Sequence, residues 1–448
     1  MKRKTLALLF TAVFLLLCAA PFLGLLLTGG SAAGANEVLA VKPALRDWDG
    51  KLNSDYLAGW AEYINDRFSL RQEAVTAWAG LNAVLFRTSV TDSVLLGREG
   101  WLYYAPTLAD YARSESMTAR ELWCAGRTLA LLQEYAEAQG GRFLFTLAPN
   151  KNSLYPENMP EYPRGDGASN AEVFSAVLDE MGVRYLDLFA VFEAEDETLY
   201  FPTDSHWNAR GAALAADAIL SALGRESGYY AGVFNAAEHK GDLYEMLYPA
   251  GKKTDGDLVY APGFTFTASS QNPDAITLRT QAGGSGSLLC YRDSFGRNLY
   301  PYLAESFSRA VFSRKTDFDP TLMETGGALV VELVERNLRY LNVYVPTMPA
   351  PARDASLIAE AADGTGTVKL TLAKGGGEGY TVLRGELAAL TPDDSSPVWV
   401  ETESALYEAF PTPEGFSLCL PEGETAGPVR IVFFRAGNLT AFPGVIGS

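Results

Sequence analysis

The stretch Arg142-Phe143-Leu144-Phe145-Thr146-Leu147-Ala148, followed at once by Pro149-Asn150-Lys151-Asn152-Ser153, decides the fold of this chain. Its nearly continuous apolar character is typical of a strand that is buried on both faces of a parallel sheet. The pair Gly140-Gly141 stands before it and ends a helix that we predict over about residues 118–138. A helix that leads into a buried strand is the repeating unit of an α/β fold.

The same alternation continues toward the C-terminus. It predicts helices over about 171–181, 209–223 and 334–341, and strands over 184–188, 287–291, 310–312 and 328–333. Strands that alternate with helices predict an α/β fold of three layers around a largely parallel sheet. Residues 225–283 show no regular pattern, so we assign no elements to them.

The flanking regions have a different composition. Apolar and aromatic residues recur at helical spacing within 36–95, and 94–104 has the pattern of a hairpin. Beyond the Pro-rich segment 345–354, short β runs over 368–372, 380–383, 397–401, 415–420 and 429–435 alternate with turns and predict a small antiparallel β-sandwich. We therefore divide the chain into a transmembrane signal anchor (1–30), a helical stalk (31–95), a main α/β domain (96–345) and a linker with a β-rich domain (346–448).

The N-terminus has the features of a membrane segment. Lys2, Arg3 and Lys4 precede an apolar run from Leu6 to Leu27, which as a helix would span roughly 30 Å, enough to cross a bilayer. The positive flank predicts that the remainder of the chain lies outside the cytoplasm. The alternative is a signal peptide cleaved at Ala33-Gly34-Ala35, which would release a secreted protein.

The composition excludes some classes of function. A net charge of −18 and a pI near 4.7 argue against a nucleic-acid-binding protein and against electrostatic docking on anionic lipid. The four cysteines have neither the spacing of a zinc site nor that of a disulfide framework. We therefore expect no metal site built on cysteine and no cofactor.

The chain has only two histidines, and one of them lies in Asp204-Ser205-His206-Trp207-Asn208. Histidine is the usual general base near neutral pH, and a carboxylate two residues before it can hold the ring in one orientation. The alternative is that Asp204 caps the helix predicted at 209–223 and that His206 has a structural role. The second histidine, His239, has no partner that we can name from the sequence.

Ser294 supplies the third member of a possible catalytic triad. It follows the strand predicted at 287–291 and precedes a helix. In parallel sheets, catalytic and binding residues usually lie at the carboxyl ends of the strands. With His206 as base and Asp204 as the orienting carboxylate, it would complete a Ser-His-Asp triad. Arg292 stands where the nucleophile elbow G-x-S-x-G has its first glycine, so this is not the α/β-hydrolase pattern. The alternative is that Ser294 only caps its helix.

Two basic residues are candidates for substrate binding. Lys151 follows the end of the 142–148 strand and would hold an acidic sugar or polarise an acyl carbonyl, the alternative being a surface lysine. Arg297 lies one turn after Ser294 and would bind substrate or stabilise an anion, the alternative being a pair with a nearby carboxylate.

Five segments in the same order carry a family resemblance. They are Gly97-Arg98-Glu99-Gly100-Trp101-Leu102, Pro149 to Pro156, Thr203 to Asn208, Gly241-Asp242-Leu243 and Tyr291 to Gly296. Together they resemble the DHHW-type proteins and the related SGNH-hydrolase-like alginate O-acetyltransferases of types J and X. The resemblance covers about residues 45–345. Ser205 replaces the first histidine of the Asp-His-His-Trp signature, which leaves the subfamily open.

The resemblance implies an SGNH-like α/β fold in permuted order, with Asp204, His206 and Ser294 as the triad. It also implies a polysaccharide acceptor and a separate multi-spanning membrane acyltransferase as the acetyl donor. We therefore predict an extracytoplasmic O-acetyltransferase or esterase that acts on a cell-envelope or exported polysaccharide. The alternatives are a non-catalytic polysaccharide-binding or assembly protein on the same fold, and a metal-dependent hydrolase that uses Asp204 and His206.

Overall fold

A computed structural model describes residues 2–28, 30, 33, 38–375 and 379–447. Helix α1 (Lys2–Thr28) contains a candidate membrane span, Arg3–Leu25, whose mean hydropathy is 2.6. In the described part of the chain, α1 is the one helix whose length and composition would allow it to cross a membrane. The predicted cleavage site at residues 33–35 lies largely outside the described residues.

Helices and strands alternate through the middle of the chain, and strands dominate its C-terminal part. The other α-helices are α2 (Tyr56–Arg67), α3 (Arg71–Phe86), α4 (Leu108–Tyr111), α5 (Ala119–Ala138), α6 (Lys151–Leu154), α7 (Asn170–Met181), α8 (Leu188–Glu193), α9 (Ala209–Ala222), α10 (Asp242–Leu247) and α11 (Gly296–Ser306). The strands up to residue 334 are β1 (Val94–Leu96), β2 (Leu102–Tyr104), β3 (Arg142–Ala148), β4 (Tyr185–Leu186), β5 (Phe234–His239), β6 (Asp255–Tyr260), β7 (Thr267–Ala268), β8 (Thr277–Gln281), β9 (Ser287–Tyr291), β10 (Arg309–Ser313) and β11 (Ala328–Val334). The later strands are β12 (Ala352–Arg353), β13 (Ala362–Asp363), β14 (Val368–Lys374), β15 (Tyr380–Glu386), β16 (Val398–Glu401), β17 (Leu406–Glu408), β18 (Phe410–Thr412), β19 (Gly415–Pro421), β20 (Arg430–Arg435) and β21 (Asn438–Ile446).

The central sheet has the order β4-β3-β11-β9-β10-β8-β7. The five strands from β4 to β10 are parallel, and β8 and β7 join the edge antiparallel. β3 and β11 lie side by side in the interior, with Phe145 opposite Val331. All seven residues of β11 are buried, because helices cover both faces of the sheet.

Two hydrophobic cores lie on opposite faces of this sheet. One contains Trp207, Phe295 and the apolar sides of α9 and α11. The other contains Phe145, Phe174 and the apolar side of α5. The predicted three-layer α/β fold is therefore confirmed.

Two segments differ from their predicted structure. Residues 334–341 were expected to form an α-helix, but Glu335–Asn342 is a 3₁₀ helix. The unassigned region 225–283 contains a hairpin of β5 and β6, the short helix α10 and the edge strands β7 and β8. Short elements of this kind leave no periodicity long enough to detect in a sequence.

The C-terminal strands form one curled sheet in the order β12-β17-β16-β20-β21-β14-β15-β19-β18, with β13 beside β21. Its pairings are antiparallel except those of β21 with β13 and β14. Arg127 on α5 contacts Glu408 on β17, with its Nη2 atom 2.6 Å from Oε1. This buried carboxylate helps to join the curled sheet to the α/β domain.

Candidate active site

His206 lies between Asp204 and Ser294. Its Nδ1 atom is 2.7 Å from Asp204 Oδ1, and its Nε2 atom is 2.9 Å from Ser294 Oγ. The side chains of His206 and Asp204 are only 18% and 6% exposed. The structure thus brings together the three residues predicted as a triad, at distances that allow proton transfer along the chain from serine to histidine.

The loop that carries Asp204 and His206 is held by its own hydrogen bonds. The backbone N–H of His206 donates to Asp204 Oδ1 over 2.9 Å. Trp207 is fully buried, and its indole N–H donates to the Phe295 carbonyl over 3.1 Å. Trp207 is therefore a core residue that ties the histidine loop to the segment after Ser294.

Asp204 does not cap the following helix. The N-cap of α9 is Asn208, whose side chain accepts the backbone N–H of Gly211 over 2.9 Å. Both oxygens of Asp204 instead accept hydrogen bonds from the two histidines. The interpretation of Asp204 as a helix cap is therefore wrong.

Ser294 lies in the turn between β9 and α11, and Asp293 fixes this turn. Asp293 Oδ1 accepts a hydrogen bond from the backbone N–H of Phe295 over 2.9 Å. Its Oδ2 atom accepts one from the backbone N–H of Val334 and one from the side-chain amide of Asn337, each over 2.7 Å. The N-cap position of α11 is Phe295, without a side-chain cap. Ser294 makes no side-chain cap at this helix, and its hydroxyl contacts His206 instead.

His239 also belongs to the site, although its partner could not be named from the sequence. Its Nε2 atom is 2.7 Å from Asp204 Oδ2, and its ring stacks on Phe201 with 4.1 Å between centroids. Burial lowers the pKa of His239, but the hydrogen bond with Asp204 and the negative charges of Asp204, Asp257 and Asp255 together outweigh this and raise it. The sequence offered a single clue: His239 and His206 are the only histidines in the chain.

The electrostatics of Asp204 favour its ionised form. Burial alone would raise its pKa, but hydrogen bonds from His206 and His239 hold the pKa well below its usual range. The backbone N–H of Asp242 adds a bond of 3.0 Å to Oδ2. An ionised Asp204 can hold the His206 ring in one tautomer and stabilise its protonated form.

Asp242 supports the loop through Ser205. Its two oxygens accept the backbone N–H of Ser205 over 2.8 Å and the Ser205 hydroxyl over 2.6 Å. Burial and the neighbouring charge of Asp204 raise the pKa of Asp242. Ser205 thus occupies the place of the first histidine in the DHHW signature and binds the Asp of the Gly241-Asp242-Leu243 segment.

Asp204, His206 and Asp242 also have the geometry of a candidate cation site. Each offers one ligand atom, and these atoms lie within 4.8 Å of one another. However, N–H and O–H donors already point at all four carboxylate oxygens. A cation would have to displace these hydrogen bonds, so the donor set fits a hydrogen-bonded network better than a metal centre.

Lys151 is buried against the loop that carries Asp204 and His206, and does not lie in an open pocket as expected for a substrate-binding residue. Its Nζ atom donates to the carbonyls of Phe201, Pro202 and Asp204 over 3.0, 3.0 and 2.6 Å. The ammonium also lies 5.4 Å from the ring centroid of Trp101. With three carbonyl acceptors and 4% exposure, the residue has no free donor for substrate. Burial lowers its pKa to about 7.

Arg297 is largely exposed and lies 3.5 Å from a carboxylate oxygen of Asp274. It does not line the small cavity beside Ser294, which has a volume of about 180 Å³. The polar and aromatic residues that line this cavity include Arg292, Asp293, Arg314, Lys315, Asn337 and Tyr344. Arg314 and Lys315 were missed, although they follow the carboxyl end of β10 and so share the functional edge of the sheet.

Comparison with known proteins supports the family resemblance that the sequence motifs indicated. Residues 94–289 match a family model described as "SGNH hydrolase-like domain, acetyltransferase AlgX". The predicted family resemblance is confirmed. The matched segment contains Asp204 and His206 and ends before Ser294.

A protein of Pseudomonas syringae pv. tomato named "Probable alginate O-acetylase AlgJ" is 26% identical over 263 residues, which are 50% of this chain and 65% of that protein. The chain thus spans less than two thirds of the length of this relative. Among solved structures, PatB1 of Bacillus cereus is 17% identical, with a TM-score of 0.43 and coverage of 55% of this chain and 98% of that one. The O-acetyltransferase domain of Pseudomonas putida AlgJ is 16% identical, with a TM-score of 0.38 and coverage of 55% and 92%.

Proposed function

We propose that this protein is an O-acetyltransferase, or an acetylesterase, that acts on a polysaccharide through Asp204, His206 and Ser294. The observation that carries the proposal is the position of His206, within 2.9 Å of Ser294 Oγ and 2.7 Å of Asp204 Oδ1. The printed names of the relatives, alginate O-acetylase and O-acetyltransferase, support the reaction class and the polysaccharide acceptor.

In the first half of the reaction, Ser294 Oγ attacks the carbonyl carbon of an acetyl ester while His206 Nε2 takes the hydroxyl proton. The tetrahedral intermediate collapses, the bond to the donor oxygen breaks, and His206 returns its proton to that oxygen. The products are a free donor alcohol and an acetyl ester on Ser294. Asp204 keeps the ring in the required tautomer throughout.

In the second half, an acceptor hydroxyl attacks the acetyl-serine and gives its proton to His206. A sugar hydroxyl yields an acetylated polymer, whereas water yields acetate, and Ser294 recovers its proton in either case. Backbone N–H groups around Ser294 would stabilise the oxyanion in both halves. Lys151 acts here as a positioning residue, since its donors bind the carbonyls of the catalytic loop.

The proposed location is the extracytoplasmic side of the membrane, with α1 as a single-pass anchor. The basic residues Lys2, Arg3 and Lys4, at the N-terminal end of the span, support this orientation. A multi-spanning acyltransferase would then deliver acetyl groups across the membrane, a partner that we propose from the family resemblance.

The test uses the full chain with p-nitrophenyl acetate and an alginate oligosaccharide. We expect Ser294→Ala to reduce p-nitrophenol release about 10³-fold or more, and phenylmethylsulfonyl fluoride to modify Ser294 in the wild type. The matched control is Ser169→Ala, which removes a true N-cap from α7 at a cost of about 1 kcal/mol in stability while leaving turnover intact.

The two alternatives give different results. A non-catalytic binding protein requires that Ser294→Ala leave both ester turnover and acetylation of the oligosaccharide unchanged. A metal-dependent hydrolase requires that a chelator abolish turnover and that Ser294 escape labelling. Acetyl transfer to the oligosaccharide, measured against acetate release, separates transferase from esterase.

A further inference from the structure

The exposed side of α3 is apolar. Ala74, Trp78, Leu81 and Leu85 follow one another at steps of four, three and four residues, and they are all exposed, as is Ala77. The side chains of Trp78, Leu81, Val84 and Leu85 are 58%, 48%, 81% and 62% exposed. A surface helix of a soluble domain normally presents polar residues to water on this side.

The opposite side of α3 is fixed to the rest of the protein. Ala79 is buried in a cluster with Leu243 and Leu247 of α10. The Thr76 hydroxyl accepts the backbone N–H of Ala250 over 2.9 Å. Because these contacts orient the helix, its apolar side cannot turn inward without breaking them.

The helix begins next to the candidate membrane anchor. Gly24 of α1 packs so closely on Ser69 that a Cβ atom would not fit between them, and Gly30 packs likewise on the Arg67 carbonyl. Arg67 is the last residue of α2, Ser69 lies in the turn between α2 and α3, and the candidate span ends at Leu25. The N-terminus of α3 therefore lies where the anchor would leave the hydrocarbon region.

Exposed apolar side chains are concentrated in this part of the molecule. Among the described residues, 38–90 carry as many exposed large apolar side chains as the much longer segment 91–447. They include Trp48 and Trp78, and tryptophan is enriched where membrane proteins meet the lipid–water interface. A contiguous exposed apolar surface of this kind marks an interaction site.

We infer that α3 lies on the outer surface of the bilayer, with Trp78, Leu81 and Leu85 inserted among the lipid headgroups and upper acyl chains. The inference is independent of the proposed chemistry, but it rests on α1 crossing the membrane. The insertion of apolar side chains would drive this contact. Electrostatic attraction to anionic lipid would not contribute, because the chain has a net charge of −18. Since α10 packs on the other side of α3 and begins with Asp242, the helix would hold the candidate active site close to the membrane.

The test measures the surroundings of a nitroxide label on the full chain in phosphatidylcholine vesicles. Cys18→Ser removes the exposed cysteine, and Cys124, Cys290 and Cys419 are buried. The label is placed at Leu81→Cys or, as a matched control, at Leu357→Cys, because Leu81 and Leu357 are 48% and 47% exposed. Circular dichroism melting checks that both variants fold.

We expect the label at residue 81 to collide with dissolved oxygen but to be shielded several-fold from a water-soluble nickel chelate, relative to the label at residue 357. Equal access of the chelate to both labels would overturn the inference, since the face would then be in water. Shielding of residue 81 from oxygen and chelate alike would also overturn it, since a second copy of the chain would then cover the face.

Discussion

Lys151 allows a quantitative prediction, because its ammonium is buried and bonded to backbone carbonyls alone. In Lys151→Met the carbonyls of Phe201 and Asp204 lose the donor shown for them, whereas the Pro202 carbonyl keeps the backbone N–H of Leu102 at 2.9 Å. An unpaired buried acceptor costs about 1–3 kcal/mol, so the lost bonds cost roughly 2–6 kcal/mol.

The same substitution removes the cost of burying an ionisable lysine. Burial lowers the pKa of Lys151 from 10.5 to about 7. Between these two values the unfolded chain binds more protons than the folded chain, so this lysine makes folding more favourable as the pH rises. The slope is about 1.4 kcal/mol per pH unit. The wild type should therefore gain about 3 kcal/mol over Lys151→Met between pH 7.5 and 9.5.

The assay is urea unfolding of the full chain in detergent, followed by circular dichroism at pH 7.5, 8.5 and 9.5. Only the difference between the variants is used, because every other titrating group is common to both. Lys252→Met removes an exposed lysine and controls for the loss of one positive charge. A difference between wild type and Lys151→Met that stays constant across this range would refute the reasoning, since Lys151 would then remain protonated under its three carbonyls.

Three further predictions concern the site and its support. Asp204→Asn should keep the fold but reduce kcat for ester hydrolysis by about 10⁴-fold, because an amide no longer holds the His206 ring in the tautomer that can accept the serine proton. An unchanged kcat would show that Asp204 takes no part in the mechanism. His239→Ala should raise the pKa of Asp204, because the hydrogen bond from His239 helps to keep that pKa low. We expect kcat to fall about tenfold and the acid limb of the pH–rate profile to move to higher pH. An acid limb at the same pH in the variant and the wild type would contradict this prediction. Burial raises the pKa of Glu335 from 4.5 to about 7, so between these values the unfolded chain ionises this group while the folded chain keeps it protonated, and its contribution to stability falls as the pH rises. Relative to the wild type, Glu335→Gln should gain about 1.4 kcal/mol per pH unit over that range in urea unfolding, and a flat difference argues against it.

Local pattern was enough to predict most of the α/β elements. The strand over Arg142–Ala148 has the predicted bounds, and the helix Ala119–Ala138 begins one residue after its predicted start at residue 118. Long helices and strands bury one face or both, so their apolar residues recur with a regular period or form a continuous run that can be recognised in the sequence. Helix α10 has only six residues, too few for a periodic pattern, so its supporting role at the site could not be foreseen.

The sequence alone determined the candidate residues of the site, namely a carboxylate, a histidine and a serine. Asp204 and His206 are two residues apart, and Ser294 follows a predicted strand, so local order and strand ends were sufficient to propose them. The role of Lys151 could not be predicted from the sequence. Its position at the end of a strand indicates which edge of the sheet it lies on, but not which groups its side chain contacts.

Only the tertiary structure decided how these residues are supported. His239 lies 35 residues from Asp204 in the chain and meets its second oxygen through the β5–β6 hairpin, and Lys151 reaches the same loop from the end of β3. These contacts depend on the path of loops whose conformations are set by long-range packing. Hydrogen bonds to a buried carboxylate or ammonium require close alignment, and no local pattern of residues specifies that alignment.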